Sequence, residues 1–282
     1  MSVPYPEQAP LDVARIKAML KTAYIGRNLV YYAAIGSTND VARDLAQAQA
    51  AEGTLVIADV QSAGRGRLGR QWLSPPNSDL LMSLLFRPLL SPGQAQRLTM
   101  ICSLAVVSAI REVAGLEAQI KWPNDLLLAG KKTGGILTEL GLQGNALAYA
   151  IVGIGLNVNL RREQMPDLLL EIATSIAQVR GGAVAREPLL CAILEQIERR
   201  YDRLRAGETP AGEWAGRLAT LGKWVCVTDP NESLEGWAEG VDAEGALFLR
   251  LADGRRRRIL AGDVTLREGD AVMGRRGDGV MG

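Results

Sequence analysis

Histidine is absent from all 282 residues. That removes Ser-His and Cys-His nucleophile pairs, every imidazole metal ligand, and the side chain best suited to shuttle a proton near neutral pH. Cysteine is scarce. Cys102, Cys191 and Cys226 stand far apart in apolar contexts without CxxC spacing, the pattern of reduced, buried thiols in the cytosol. Net charge is nearly absent as well, at a formal +1, so no overall field draws the chain to DNA, RNA or an anionic membrane. Each basic cluster therefore needs its own explanation. No apolar run reaches membrane-spanning length, and the opening MSVPYPEQAP has neither the basic start nor the apolar core of a signal peptide. Internal repeats are missing too.

What is present suits a soluble protein with an ample core, in one large domain and one small one: 48% hydrophobic and 22% charged residues. Apolar spacing predicts a helix over 10–23, a strand over 28–36, a helix opening at Ser37-Thr38-Asn39, and a buried strand over 53–61. A strand over 78–88 ends at Pro88, and a long helix over 92–115 has Pro at its start and Gly115 at its end. Residues 118–160 read as a meander of strands with LAGKK and LQGNA as turns. Helices are expected again over 161–206 and 211–219. From Leu221 the texture changes to short strands and turns, a small all-β module with its own core, in the shape of a barrel. The expected division is 1–220, 221–268, and a Gly- and Arg-rich tail over 269–282 that reads as disordered.

Four stretches carry chemistry. In QSAGRGRLGRQW, residues 61–72, Arg65, Arg67 and Arg70 alternate with Gly64, Gly66 and Gly69, and Trp72 closes the run. Glycine lets backbone approach a ligand, and guanidinium forks match phosphate or carboxylate oxygens, so this describes a mobile loop that wraps an anion. Trp72 offers a flat face to an adenine. No GK[ST] follows, so it is not a Walker loop. The plain alternative is a solvated basic loop or an RGG-like nucleic-acid segment. In KWPNDLLL, Lys121 can meet a phosphate while Asn124 and Asp125 orient a metal or its waters, against the alternative of an ordinary turn. In KKTGGILTEL, Lys132 stands beside Gly134-Gly135, where backbone can close on a flat ligand or form a simple bulge. In GIGLNVNL, Asn157 is expected to share a face with Gly153 and Gly155, against tight packing alone.

Taken together, STN, QSAGRGRLGRQW, KWPNDL, KKTGGILTEL and GIGLNVN stand in the order and spacing of the biotin protein ligases, which this chain resembles closely over about residues 30–160. The resemblance implies an α+β catalytic domain, with a central mixed or antiparallel sheet flanked by helices in the manner of class II synthetases, and an SH3-like C-terminal β-barrel. It implies formation of biotinyl-5′-AMP from biotin and MgATP, then transfer of biotin to a lysine of a biotin carboxyl carrier protein such as that of acetyl-CoA carboxylase. Both substrates are anions, which gives the arginine loop a purpose: forked cations offset their repulsion and exclude water. The nucleophiles belong to the substrates, so no histidine is needed.

By the same resemblance, Ser37, Thr38, Asn39, Gln61, Gly64, Arg65, Gly66, Arg67, Lys132, Gly134 and Gly135 form the biotin site. Arg67, Arg70, Trp72, Lys121, Asn124, Asp125 and Asn157 form the ATP site, with Mg2+ near Asp125. Arg65, Arg67, Lys121 and Lys132 carry the catalytic role. Only 36 residues precede Ser37, too short for a winged helix, so the monofunctional type without DNA binding is expected, cytoplasmic and away from membranes. The sequence does not fix whether the chain dimerises; if it does, pairing through a sheet edge near 146–158 is expected. Two other readings stay open: a lipoate–protein ligase, which shares the fold, and a nucleic-acid-binding module that uses the arginine loop and Arg255–Arg258.

Overall fold

The computed structural model describes residues 9–229 and 232–266. The expected tail over 269–282 lies outside them. Helix α1 (Val13–Met19) is capped by Asp12, whose carboxylate accepts from Arg15 N at 2.9 Å. Strand β1 (Leu29–Tyr32) runs parallel to β2 (Leu55–Ala58), with α2 (Thr38–Gln47) between them in the chain. Next come β3 (Leu80–Phe86) and α3 (Gln96–Ala114), which stops at Gly115 in the left-handed conformation at φ 70°. The meander follows: β4 (Gln119–Lys121), β5 (Asp125–Leu128), β6 (Lys131–Gln143) and β7 (Ala146–Leu156). These strands make one seven-stranded sheet in the order β1-β2-β3-β7-β6-β5-β4, antiparallel except for β1 and β2.

Period-two alternation divides the sheet into two faces. Leu55 and Ile57, Leu80, Met82, Leu84 and Phe86, and Val152, Ile154 and Leu156 pack into the large core with α3. Val56, Leu85 and Ile151 point the other way, onto Ala42 and Ala46 of α2. Further along that second face the large side chains are replaced by small ones at several positions. Ser83 stands opposite Gly153, and Gly155 opposite Gly135. Beside α2 the sheet therefore presents bare backbone, and this is where a cavity opens.

The region after β7 differs from expectation. Residues 162–164 and 167–169 form two short 3-10 turns, and regular helix returns only at α4 (Ile176–Arg180) and α5 (Arg186–Arg205). Pro166 interrupts the segment, and beyond its short turns the backbone bonds to β6: Lys132 N donates to Ile172 O and Thr174 N to Lys132 O, both at 2.8 Å. The expected dimer edge also moves. Strand β7 lies inside the sheet between β3 and β6, and the outer strands are β1 and β4.

After α6 (Ala211–Ala215), strands β8 (Trp224–Thr228), β9 (Ser233–Val241), β10 (Leu247–Arg250), β11 (Arg256–Ile259) and β12 (Asp263–Leu266) form a five-stranded antiparallel sheet in the order β11-β10-β9-β8-β12. The expected separate core is not found. Val225, Val227, Ala238, Leu247 and Leu249 belong to the same contiguous cluster as the large sheet. The seam is specific: Trp122 Nε1 donates to Gly245 O at 2.8 Å, and Arg97 pairs with Glu244 at 3.2 Å.

One buried carboxyl gives the fold a testable pH dependence. Asp79 is 1% exposed and accepts from Val158 N at 3.0 Å and Ser74 Oγ at 2.8 Å. Burial pushes it up to about 6, and those hydrogen bonds and the Arg186 charge hold the rise back. The folded protein thus holds this proton more tightly than the unfolded chain, whose aspartate titrates near about 3.9. The resulting stability is complete below that value and is lost as pH rises through about 6. Asp79→Asn is expected to remove this component. In urea unfolding between pH 4 and 7, the parent should lose up to about 3 kcal/mol relative to the variant. Identical pH profiles for the two proteins would refute the assignment.

Candidate active site

The floor of the cavity is glycine backbone, and two side chains show why. A Cβ at Gly155 would sit 2.6 Å from Trp72 Cε2, and one at Gly153 would overlap Asn39 Oδ1. Only glycine lets these groups lie flat on the sheet. The space enclosed is about 870 Å³, enough for a nucleotide and a second small molecule.

The polar end is built by the start of α2. Ser37 is its N-cap, yet its hydroxyl makes no capping bond; the residue is 4% exposed and lines the cavity. Thr38 donates to Gln61 Oε1 from its amide at 2.7 Å and from its hydroxyl at 3.1 Å. Ser83 Oγ donates to Asn39 Oδ1 at 2.6 Å. Ser37, Thr38, Asn39 and Gln61 are thus brought together, as the sequence suggests.

The arginine stretch folds back on itself. Trp72 N donates to Gly64 O at 2.9 Å and Gly66 N to Arg70 O at 2.7 Å, and the tip turns through Leu68 (φ 55°) and Gly69 (φ 72°). Gly66 lines the cavity, whereas Gly64 serves the loop's own packing, since a Cβ there would lie 2.9 Å from Trp72 O. Gly134 is a second correction. Its Cβ position faces Leu126 and Leu156 in the core, while Gly135 faces Trp72 and Lys132. Adjacent strand residues point to opposite faces, so a Gly-Gly pair can place only one member in the site.

Three cations rest on carboxylates. Arg65 forks onto Asp40 at 2.8 and 2.5 Å, Arg70 pairs with Asp263, and Lys132 Nζ is 2.5 Å from Asp125 Oδ1 and 5.9 Å from the Trp72 ring centroid. Arg65 holds the Asp40 carboxyl below its usual range. Two cations have no such partner. Arg67 donates only to the neutral oxygens Asn124 Oδ1 and Gly262 O, each at 3.2 Å. Burial lowers its pKa, Asp263 and Asp125 oppose that, and Arg70 adds to it. Lys121 lines the cavity and makes no ion pair or side-chain hydrogen bond among the described residues. Trp72 Nε1 is also buried without an acceptor. A buried donor without an acceptor is an exception in folded proteins, and a ligand acceptor would satisfy Trp72, while an anion would satisfy the two cations.

The two asparagines prove more structural than expected. Asn124 Nδ2 donates to Ile136 O at 2.7 Å while its oxygen holds Arg67. Asn157 lies just past β7, and its amide donates to Thr174 O at 3.0 Å, fixing the segment that follows while lining the cavity. Sequence reasoning missed Asp40 and Glu139, Asp263 at the start of β12, and the cavity wall from Met165 to Ala173. Asp40 reads as an ordinary first-turn acid of a helix, so nothing local marks it. The arginine run at the start of β11 lies elsewhere, and each member has a carboxylate partner: Arg255 on Asp253, Arg256 on Glu239, Arg257 on Glu232 and Arg258 on Asp242.

Comparison with known proteins identifies the family. Residues 31–157 match the Biotin/lipoate A/B protein ligase family, and residues 220–267 the Biotin protein ligase C terminal domain. The chain is 39% identical over 258 residues to the Bifunctional ligase/repressor BirA of Bacillus subtilis, covering 91% of this chain and 79% of that one. It is 33% identical over 263 residues to the Biotin--[acetyl-CoA-carboxylase] ligase of Mycobacterium tuberculosis, covering 90% and 95%. Among solved structures, the biotin protein ligase of Aquifex aeolicus in complex with biotin and ATP superposes with a TM-score of 0.72 at 28% identity, over 86% of this chain and all of that one.

Proposed function

The chain belongs to the biotin protein ligase family, and from that premise we propose how its cavity performs the ligase reaction. The enzyme forms biotinyl-5′-AMP from biotin and ATP and transfers biotin to a lysine of an acceptor protein. A lipoate ligase is not favoured, because the C-terminal match is to a biotin ligase domain. The observation that carries the residue assignment is the pair of cations without an ion-pair partner among the described residues, Arg67 and Lys121, in a cavity whose other cations already rest on carboxylates.

Biotin's rings occupy the Ser37–Asn39 end, and its carboxylate points toward Arg65, Arg67 and Lys132. The adenine stacks on Trp72. The carboxylate oxygen attacks the α-phosphorus, the new O–P bond forms, and pyrophosphate leaves with its electron pair. Lys121 and Arg67 offset the charge that gathers on the α-phosphoryl oxygens. The acceptor's lysine amine then attacks the biotinyl carbonyl carbon, and AMP leaves. The protein supplies position and charge at each step, in agreement with a chain that contains no histidine.

Magnesium fits as a companion of the nucleotide. No cluster of three or more acidic, His or Cys ligands exists among the described residues, and Asp125, which lines the cavity, would hold Mg2+ from the protein side. That is the usual arrangement, one or two carboxylates with substrate phosphates completing the shell. The acceptor is the biotin carboxyl carrier subunit of an acetyl-CoA carboxylase, in the cytoplasm; the name of the Mycobacterium tuberculosis relative supports this reading. No described helix is long and apolar enough to cross a membrane. A homodimer formed by strand pairing has β1 and β4 as its available edges.

Incubation with biotin, MgATP and an apo carrier domain tests the reading directly. One biotinyl mass gain on the carrier is expected, and none with lipoate in place of biotin. The biotin end has its own test. Lys132→Ala is expected to weaken biotin binding by about 10-fold or more, the worth of one charge-assisted contact, with ATP affinity little changed. Calorimetry showing unaltered biotin affinity would remove Lys132 from the biotin site.

A further inference from the structure

Beside the cavity, on the same face of the sheet, four charged side chains close a ring. Asp40 and Arg43 stand three residues apart on α2, Glu139 projects from β6, and Arg65 comes from the arginine loop. Arg43 bonds to Asp40 and to Glu139, each at 2.8 Å; Arg65 forks onto Asp40 and lies 3.9 Å from Glu139 Oε1. The two cations and two anions cancel. Of the four, only Arg65 lines the cavity, so the ring is not itself a ligand site. Its connection to the site runs through Asn39.

Glu139 Oε2 accepts from Asn39 Nδ2 at 2.8 Å, while Ser83 donates to Asn39 Oδ1 at 2.6 Å. The serine hydroxyl tolerates either orientation of the amide, but an ionised carboxylate can only accept. Glu139 therefore decides which way Asn39 points. One Nδ2–H is held by Glu139, and the second remains for an acceptor in the cavity, which Asn39 lines at 5% exposure. The same carboxylate lies 3.9 Å from Arg65 of the arginine loop.

We infer that Glu139 is a positioning residue that presents the Asn39 amide to the ring end of biotin and ties that end to Arg65, so that biotin occupancy and loop placement are linked. The inference rests on the reading that biotin's rings lie at the Ser37–Asn39 end. Glu139 touches no substrate; it acts through Asn39 on affinity and through Arg65 on the loop.

The test uses the full chain with Glu139→Gln, which keeps the side chain's size, and reads biotin and ATP affinity by calorimetry and amide exchange over 61–72 at saturating biotin. Glu139→Gln is expected to weaken biotin binding by about 10-fold, to leave ATP binding within about twofold, and to speed loop exchange in the biotin-saturated state by about 10-fold. In an Asn39→Ala background, Glu139→Gln should cause no further loss of biotin affinity, because its effect passes through that amide. Parent-like biotin affinity in Glu139→Gln, or effects of the two substitutions that simply add, would overturn the Asn39 step. Parent-like loop protection at saturation would overturn the link to Arg65. A parent enzyme that failed to bind biotin would instead overturn the site reading itself, a result visible before any variant is made.

Discussion

Lys121→Met should abolish most of the adenylation rate while leaving the protein folded and its biotin affinity within about twofold, with biotinyl-5′-AMP formation down by about 10²–10³-fold, the usual cost of removing one preorganised donor from developing charge. The reason lies in what Lys121 does not do. Arg65, Arg70 and Lys132 each satisfy a carboxylate, so removing any of them strands Asp40, Asp263 or Asp125 and mixes a charge defect with a catalytic one. Lys121 has no such partner among the described residues. Its methionine replacement strands nothing and retains most of the apolar stem. Single-turnover pyrophosphate release, with biotin affinity measured alongside, separates the two effects. A variant that adenylates at the parent rate would show that Lys121 is a bystander on the cavity wall.

The contrast between paired and unpaired cations was not legible in the sequence. Composition and spacing brought the arginines, KWPND and the glycines to one site, because local chemistry is written locally: a Gly-Arg alternation, a proline-fixed bend, a strand with missing side chains. The two-layer α+β fold was legible for the same reason, since β2 is an unbroken apolar run and β3 is one interrupted only by Ser83, both buried along their whole length. Pairings across long separations were not. Arg70 meets Asp263 across the chain, and Asn39 meets Glu139 at a separation of 100 residues. The stretch after β7 has leucines spaced like a helix, yet Leu168 and Ile172 are exposed and its backbone pairs with β6. The C-terminal module was read as independent from its short strands, and only the Trp122–Gly245 seam shows that its core continues into the large domain.

Arg67 is where the loop, the floor and that module meet. Its guanidinium reaches Asn124 on the β4–β5 turn and Gly262 O beside β12, and burial without an ion-pair partner makes its charge costly until an anion arrives. The adenylate's phosphate–carboxylate junction is such an anion. Replacement by glycine removes the forked cation and its tie to the module, and adds backbone freedom beside Leu68 and Gly69, which already turn through positive φ. Synthesis should suffer less than retention, because Arg65, Arg70 and Lys121 still offset charge while the reactants meet. Arg67→Gly is therefore expected to release biotinyl-5′-AMP about 10- to 100-fold faster than the parent, the loss of roughly one charge-assisted contact. A released mixed anhydride acylates whatever amine it meets. Incubated with biotin, MgATP and an unrelated lysine-rich protein, the variant should biotinylate that bystander, while the parent does not. If the variant forms adenylate at a normal rate and releases it no faster than the parent, the clamp on the intermediate lies elsewhere in the loop.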